Sequence, residues 1–507
     1  MQFGFVIDHS RCIGCHACTV ACKAENDVPV GSFRTWVKYT EEGTFPEVRR
    51  SFAVLRCNQC SDAPCITICP VRALKKRPDG IVDVDPALCI GCKGCLQACP
   101  YDALYINDAS GTAEKCHFCA HRVERGLAPA CAVVCPTEAI IPGDFDDPKS
   151  SVSRMRASGQ LTARKPEAGT GPNVLYREAD PAGLDPLATN AGGGYLWANP
   201  LAGPQLDAQI FEALEHKATA RTVYDVEHPP AWGARVSAYL FTKSLAAGAM
   251  LAGAAVLPPF SLGGILGRGP CLWIVGLAFV FWAMTNALLV ADLKRPGRCF
   301  YILLYGNPDS WITRGAWVLA GYAAVLAAFA AAVGFGDPGA AAAQATALLS
   351  VPSAALAAGY TAWLFGQARG RVLWLRRDLA LLLVLHAVVG GAALLVLVLP
   401  RIGAGAAGGV MRWVLAVAVT AGPLLELFEG RFRPARRGAE YERAARLLSH
   451  GPYALRRRVI HLAIPAILLL LIVDYPATWQ LGALLALVAL YVEQDTYVRA
   501  GQAPRIS

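Results

Sequence analysis

Sixteen of the eighteen cysteines in this 507-residue chain lie between positions 12 and 135, in four groups of four. No other feature restricts the fold as much, because each group must draw four thiols towards common points. Cys12, Cys15, Cys18 and Cys22 are spaced C-x2-C-x2-C-x3-C, and so are Cys89, Cys92, Cys95 and Cys99. The group Cys57, Cys60, Cys65, Cys69 has a wider middle gap, and the last group splits into Cys116, Cys119 and Cys131, Cys135. A disulfide framework needs an oxidising compartment. Met1–Ser10 carries neither a basic stretch leading into an apolar run nor a twin-arginine pair, so the thiols are expected to mature in a reducing one. An isolated C-x2-C pair would also suit zinc.

The complete spacing points instead to cubane iron–sulfur clusters, whose bacterial ferredoxin pattern is this run with a proline after the fourth cysteine. Pro70, Pro100 and Pro136 stand there in three groups, and Lys23 replaces it in the first. A short strand-like stretch, GIVDV from Gly80, precedes the third group, and PYDAL and PTEAI follow the third and fourth. Strand, cluster loop and short helix therefore alternate as in two merged two-cluster ferredoxins. No cysteine in the groups remains as a nucleophile, and no Ser/His/Asp or phosphate-binding glycine motif is present. The module reads as a wire, with substrate chemistry elsewhere, and Lys23, Lys93 and His16 are candidate tuners of cluster potential.

The runs CIGCHAC from Cys12, CNQCSDAPCITICP from Cys57, CIGCKGCLQACPYDA from Cys89 and KCHFCAHRVERGLAPACAVVCPTEA from Lys115 resemble the four-cluster subunits of the polysulfide, dimethyl sulfoxide and nitrate reductase group over residues 1 to about 180. The resemblance implies that each motif lends its fourth cysteine to a partner. It assigns Cys12, Cys15, Cys18 and Cys135 to one cluster, and Cys22, Cys116, Cys119 and Cys131 to a second. Cys57, Cys60, Cys65 and Cys99 would hold a third, and Cys69, Cys89, Cys92 and Cys95 a fourth. With Cys92 present, four [4Fe-4S] clusters are expected, the first nearest a catalytic subunit and the last nearest the membrane.

The remaining chain is of another kind. Apolar residues make up 54% of the sequence, and the long apolar runs all follow residue 235. The reading is an α+β double-ferredoxin domain (1–150), an extended tail and linker (151–235) with a short helix near Gln205–Lys217, and an all-α transmembrane anchor (236–507). A span needs about 20 apolar residues. Eight candidates occur, at about 236–258, 270–292, 314–335, 343–366, 378–400, 410–429, 458–475 and 478–496. The net charge of +9 comes chiefly from arginines in loops on the side shared with the cysteine domain, such as Arg298, Arg371 and Arg456–Arg458. Arg268, Arg401 and Arg412 alone face the other side. That bias fits membrane topology better than nucleic-acid binding, and predicts an inner-membrane, multi-pass protein with its cluster domain in the cytoplasm.

WGARVSAYLFTKSLAAGA from Trp232, LLVADLKRPGRCFYILLYGNPDSWITRGAW from Leu288, YTAWLFGQARGRVLW from Tyr360 and the terminal YVRAGQAPRIS from Tyr497 together resemble the polytopic anchors of nitrite-reductase and polysulfide-reductase type. That family implies a menaquinone or ubiquinone site close to the cluster side, without haem. From the residues themselves, ionisable groups inside spans mark functional sites. Lys243, Asp292, Tyr239, Asn286 and Arg295 are the candidate quinone-binding set, with His386, Glu426, His461 and Asp474 as further intramembrane ionisable groups. The lone Cys271 and Cys299 are read as structural. The expected function is an electron-transfer and anchor subunit joining membrane quinone to a separate molybdopterin catalytic subunit. The alternatives are a quinol dehydrogenase feeding a multi-haem cytochrome and a module coupling quinol chemistry to proton movement through Glu426 or Asp474.

Overall fold

The computed structural model describes residues 1–190, 196–197, 220–262, 264, 266–428 and 431–506. The short helix expected near Gln205–Lys217, Glu429 and the side chain of Glu426 lie outside the described residues.

The N-terminal half is built on two sheets. In the first, β1 (Phe3–Asp8) runs antiparallel to β8 (Ile140–Asp144) and parallel to β10 (Val174–Arg177), with Phe5 opposite both Pro142 and Val174, and β9 (Leu161–Ala163) closes the edge. The second is the long hairpin β2 (Thr35–Thr44) and β3 (Glu47–Arg56), extended by the strand Ala220–Asp225. Two small antiparallel pairs, β4 (Leu74–Lys76) with β5 (Val82–Val84) and β6 (Leu104–Asn107) with β7 (Thr112–Lys115), brace the middle cysteine groups. Phe5, Ile7, Trp36, Leu55, Phe118 and Tyr176 pack a core between the sheets.

This corrects the domain boundary read at 150. Residues 151–190 supply β9 and β10, and Ala220–Asp225 belongs to the second sheet, so the domain draws in most of the expected linker. Strands of three to six residues flanked by Gly and Pro leave no alternation long enough to read.

Eight long helices follow among the described residues: α1 (Ala234–Gly253), α2 (Arg268–Asp292), α3 (Trp311–Phe335), α4 (Ala341–Gln367), α5 (Leu379–Val398), α6 (Gly405–Glu426), α7 (Ala454–Ile472) and α8 (Pro476–Gln502). Six of them, α2 to α6 and α8, are long and apolar enough to cross a membrane. The other two depart from that standard for visible reasons. α1 carries Arg235, Lys243 and several hydroxyl residues, and α7 opens on Arg456, Arg457 and Arg458.

α1 lies at the centre, packed against α2, α4, α5 and α8, with Lys243 and Ser244 among its buried residues. It meets α5 at two glycines. A Cβ on Gly248 would fall 1.8 Å from the Ala387 carbonyl, and one on Gly391 would fall 2.0 Å from the Gly248 backbone. Small residues of this sort let helix backbones touch in an apolar medium, where dispersion contacts replace the hydrophobic drive. Outward positions on the other helices are large and apolar, among them Trp273, Val280, Leu462, Leu469 and Val488.

Candidate functional site: a line of cysteine cavities ending on the helical half

Each of three cysteine loops turns through residues in the left-handed region. Gly14 and His16 do so in the first group, Gly91 and Lys93 in the third, and Phe118 and Cys119 in the fourth. Such turns point successive thiols inward, and a short helix then carries the next cysteine back to the same void.

Three cavities of roughly equal size result. One of about 300 Å³ is lined by Cys22, Cys116, Cys119 and Cys131. One of about 310 Å³ is lined by Cys57, Cys60, Cys65 and Cys99, and one of about 350 Å³ by Cys69, Cys89, Cys92 and Cys95. Cys12, Cys15, Cys18 and Cys135 gather at the exposed end, where Cys135 and Cys15 act on Cys12 and Cys12 acts on Cys18. Thiols of adjacent sets also act on each other, Cys131 on Cys18 and Cys65 on Cys95. Among the described residues, no three His, Cys, Asp or Glu side chains close on a single-metal position. Thiols ringed around a void fit a polynuclear cluster, whereas a lone zinc needs four ligands about 2.3 Å from one point.

The electrostatics of the cavities suit the same group. Burial pushes the Cys18 thiol up to about 11 and those of Cys92 and Cys99 up to about 12. These thiols ionise when a positive iron centre stands against them. An iron–sulfur cluster supplies one-electron redox chemistry when bound; the surrounding residues hold the thiolates and set their field. Arg56, fully buried over the Phe5 ring, donates to Cys131 Sγ at 3.2 Å and acts on Cys18 and Cys116 as well. Its Nε and Nη2 have no hydrogen-bond partner among the described residues. Buried Lys115 lies in the field of Cys57, Cys65 and Cys116. Backbone N–H groups of Ala113 and Ala139 donate to Cys89 and Cys135 Sγ at 3.5 and 3.3 Å.

Arg56 and Lys115 fall outside the three candidate tuners, although each directly precedes the first cysteine of its group, a signal available in the sequence. Of the three candidates, Lys93 lines the cavity of Cys69, Cys89, Cys92 and Cys95 and acts on Cys92, and Lys23 lies in the field of Cys22; each also has other contacts. Lys23 donates to the Pro29 and Ser32 carbonyls and covers Phe33, His16 packs on Tyr39 and Tyr224, and Lys93 pairs with Asp292 at 2.8 Å.

That last pair belongs to a continuous seam in which the helical half caps the carbonyls of the cysteine loops. Arg298 donates to the carbonyls of Pro86 and Cys89, Asn307 to Cys69, Ser310 to Ile68 and Thr313 to Pro70, all between 2.7 and 3.0 Å. The amides of Lys294 and Arg295 donate to Gly91 and Ile90. Gly91 has φ +68°, and a Cβ there would meet Lys294 Cβ at 2.6 Å. Arg371 binds Gln97 and Asp102, and Trp232 Nε1 donates to the Cys92 carbonyl at 3.3 Å. Trp232 stacks on Trp374, which stacks on Phe365 with centroids 4.5 Å apart.

The five residues read as a quinone set have different partners, although Asp292 is near enough to Tyr239 to act on it. Lys243 and Tyr239 stay together in the bundle. Lys243 is 2% exposed, donates to the Ala358 carbonyl at 2.8 Å and to Thr361 Oγ1, and sits 4.7 Å from the Tyr360 ring centre. Tyr239 shares Thr361. Of the other three, Asp292 pairs with Lys93, Arg295 donates to the Ser110 carbonyl at 2.6 Å, and Asn286 donates to the Trp282 carbonyl of its own helix. Asp474, read as part of a proton path, is 81% exposed and pairs with Arg412 at the far end. His386 Nε2 shares a hydrogen bond with Glu493 Oε1, 3.1 Å away.

Comparison with known proteins agrees with this division. Residues 48–145 match the 4Fe-4S dicluster domain, and residues 223–492 match the family described as polysulphide reductase, NrfD. The protein is similar to a tetrathionate reductase subunit of Salmonella typhimurium, 45% identical over 195 residues that cover 38% of this chain and 78% of that protein. A polysulfide reductase subunit of Wolinella succinogenes is 40% identical, covering 34% of this chain and 93% of that protein. Protein NrfC of Escherichia coli K12 is 41% identical over 35% of this chain and 80% of its own length. Each of the three alignments covers little more than a third of this chain, and the membrane-type helices match the second family. With more than half of its length so matched, the chain belongs to the NrfD polysulphide reductase family, joined on one polypeptide to a 4Fe-4S electron-transfer domain.

Proposed function

We propose that this protein passes electrons between a membrane quinone, menaquinone or ubiquinone, and a separate catalytic subunit of molybdopterin type, through four [4Fe-4S] clusters. The observation that carries the reading is the line of four cysteine sets, which starts at the exposed Cys15 loop and ends where Trp232 and Asp292 meet the Cys92 loop. The ligand sets are Cys12, Cys15, Cys18 with Cys135; Cys22 with Cys116, Cys119, Cys131; Cys57, Cys60, Cys65 with Cys99; and Cys69 with Cys89, Cys92, Cys95. The relatives' names, reductase subunits for tetrathionate, polysulfide or selenate, support a catalytic partner. Exposed Ile13, Val20, Val133 and Val134 near the first set give it an apolar landing.

Lys243 and Tyr239, buried donors beside the interface helices, are the residues we assign to a quinone carbonyl. Asp292, Arg295 and Asn286 are assigned to docking and helix structure. α1 and α7 complete an eight-span bundle, since Lys243 of α1 is buried against its neighbours and the charges of α7 sit in its first turn. The cluster domain faces the cytoplasm on the bias of the loop arginines.

The test is anaerobic. The full chain, loaded and placed in lipid nanodiscs, should hold about sixteen iron atoms, from four cubanes, and 2-decyl-1,4-naphthoquinol should produce the EPR signal of reduced [4Fe-4S] clusters. A stable protein with full iron that no quinol reduces and no quinone oxidises would refute the reading. A three-iron signal in untreated protein would refute the assignment of Cys92.

A further inference from the structure

The helical half contains two adjoining cavities that the Lys243 region does not use. The first, about 690 Å³, lies near the cluster side and is lined by Phe365, Leu383, His386, Gln494, Thr496 and Tyr497, among others. The second, about 580 Å³, shares His386, Ile460 and Glu493 with it and continues along Val389, Val419, Ile464 and Ile467. Together they form a mostly apolar throat and sleeve between α5, α6, α7 and α8, with Arg376, His386, Arg457, Glu493 and Gln494 as polar groups of the throat wall and His461 in the sleeve. Walls of this kind are those of small-molecule sites, where a few placed polar groups orient a largely apolar ligand.

The polar groups are specific about what they lack. His386, 7% exposed, has Nε2 engaged by Glu493 and, among the described residues, no partner on Nδ1. Gln494, 2% exposed, gives its amide Nε2 to Ser244 Oγ at 2.9 Å, and its Oε1 has no partner there either. Thr496 Oγ1 is in the same position. The carboxylate fixes the orientation of the ring through Nε2 and leaves Nδ1 facing the throat. The throat therefore holds three buried polar atoms without partners among the described residues, His386 Nδ1, Gln494 Oε1 and Thr496 Oγ1, beside Arg376 and Arg457, which also line it; buried polar groups are satisfied as a rule.

We infer that this cavity is a separate seat for the reduced head of an isoprenoid quinol, its ring hydroxyls donating to His386 Nδ1 and Gln494 Oε1 and its tail lying in the sleeve. The inference rests on the quinone-linked reading above. A phospholipid headgroup, whose phosphodiester only accepts, would meet Arg457 and the Asp378-paired Arg376 in the wall but would leave Gln494 Oε1 unfilled. The Lys243 region presents a buried ammonium and suits a quinone carbonyl; this throat presents the unpartnered Gln494 Oε1, an acceptor that suits a ring hydroxyl. The Phe365 wall of the throat stacks on Trp374, which stacks on Trp232, whose indole N–H reaches the Cys92 carbonyl. The seat is thus one aromatic stack from the cysteine loop at the interface.

The experiment uses the loaded full chain in phosphatidylcholine nanodiscs with an azido-naphthoquinol kept reduced, photolabelling and peptide mapping. Label is expected on the α5, α7 and α8 residues of the throat. His386→Leu and Gln494→Leu should each lower it by about tenfold, the size of one hydrogen bond, while iron content and cluster EPR stay as in wild type and the lipid-facing control Val488→Ala labels normally. If His386→Leu loses iron, Gln494→Leu and Thr496→Val carry the comparison. Label confined to the surroundings of Lys243, throat label indifferent to these substitutions, or throat label displaced by added phosphatidylglycerol would each overturn the inference. A wild-type protein whose clusters the quinol never reduces would instead refute the broader function, whatever the label shows.

Discussion

Asp292 separates two accounts of the same residue, and the separation can be measured. If it docks the cluster domain, its value lies in the 2.8 Å pair with Lys93, whose side chains are 15% and 10% exposed respectively. Removing one member of a pair buried to this degree leaves a charge without its partner, a loss of about 3 kcal/mol, whereas removing both is close to neutral. A loss of that size is on the order of a hundredfold in the ratio of docked to open interface. The amides of Lys294 and Arg295 donate across this seam to Gly91 and Ile90, so their hydrogen exchange reports its opening. Lys93→Met and Asp292→Asn should each cut protection at these amides about a hundredfold, and the double variant Lys93→Met/Asp292→Leu should return to within about tenfold of wild type. Quinol-linked cluster reduction should follow the same pattern. Protection unchanged in Asp292→Asn would refute the docking role, and a reduction rate lost in Asp292→Asn and not restored in the double variant would return Asp292 to quinone chemistry.

Removing the buried cation in Arg56→Gln should lower the potentials of the two clusters nearest it by on the order of tens of millivolts, because a positive charge favours the electron-rich state; an EPR-monitored redox titration checks the sign. Burial holds the His9 imidazole down, to about 4. The unfolded chain then binds the extra proton between about pH 6.5 and 4, so the cluster domain should lose stability as pH falls through that window, with full stability above it, and His9→Phe should flatten the loss. Urea midpoints at about pH 5 and pH 7 in both proteins decide this. Gly248→Val should prevent α1 and α5 from closing and yield protein that is lost from the membrane fraction, since the new side chain would enter the Ala387 carbonyl. A cysteine replacing the exposed Val48 of the β2–β3 hairpin should react with an impermeant maleimide only after the cytoplasm is opened; labelling in intact cells would reverse the orientation.

The cysteine spacing carries most of what the sequence discloses, because a cluster loop is a local object and its turn residues, such as Gly14 and Gly91, sit inside the motif. Helices α2 to α6 and α8 are legible for the same reason, as each contains one long apolar run. What escapes is pairing across the chain. Lys93 and Asp292 are almost two hundred residues apart, and His386 and Glu493 more than a hundred, so no window shows them as neighbours. Asp292 and Arg295 stand out as charged groups at a helix end near the clusters, yet the same signal is produced by a docking contact and by a ligand site. β9 and β10 are too short to show a period, and only β1, far back in the chain, makes β10 and through it β9 into strands.

The capped carbonyls of the Cys69 and Cys89 loops also impose an order of assembly. Once Asn307, Ser310 and Arg298 have closed over these loops, Cys69, Cys89 and Cys95 are buried between the two halves, and iron or sulfide would have to part the seam to reach them. Maturation at this site must therefore precede closure. The seam thus ties the order of loading and docking to burial of this one cysteine set.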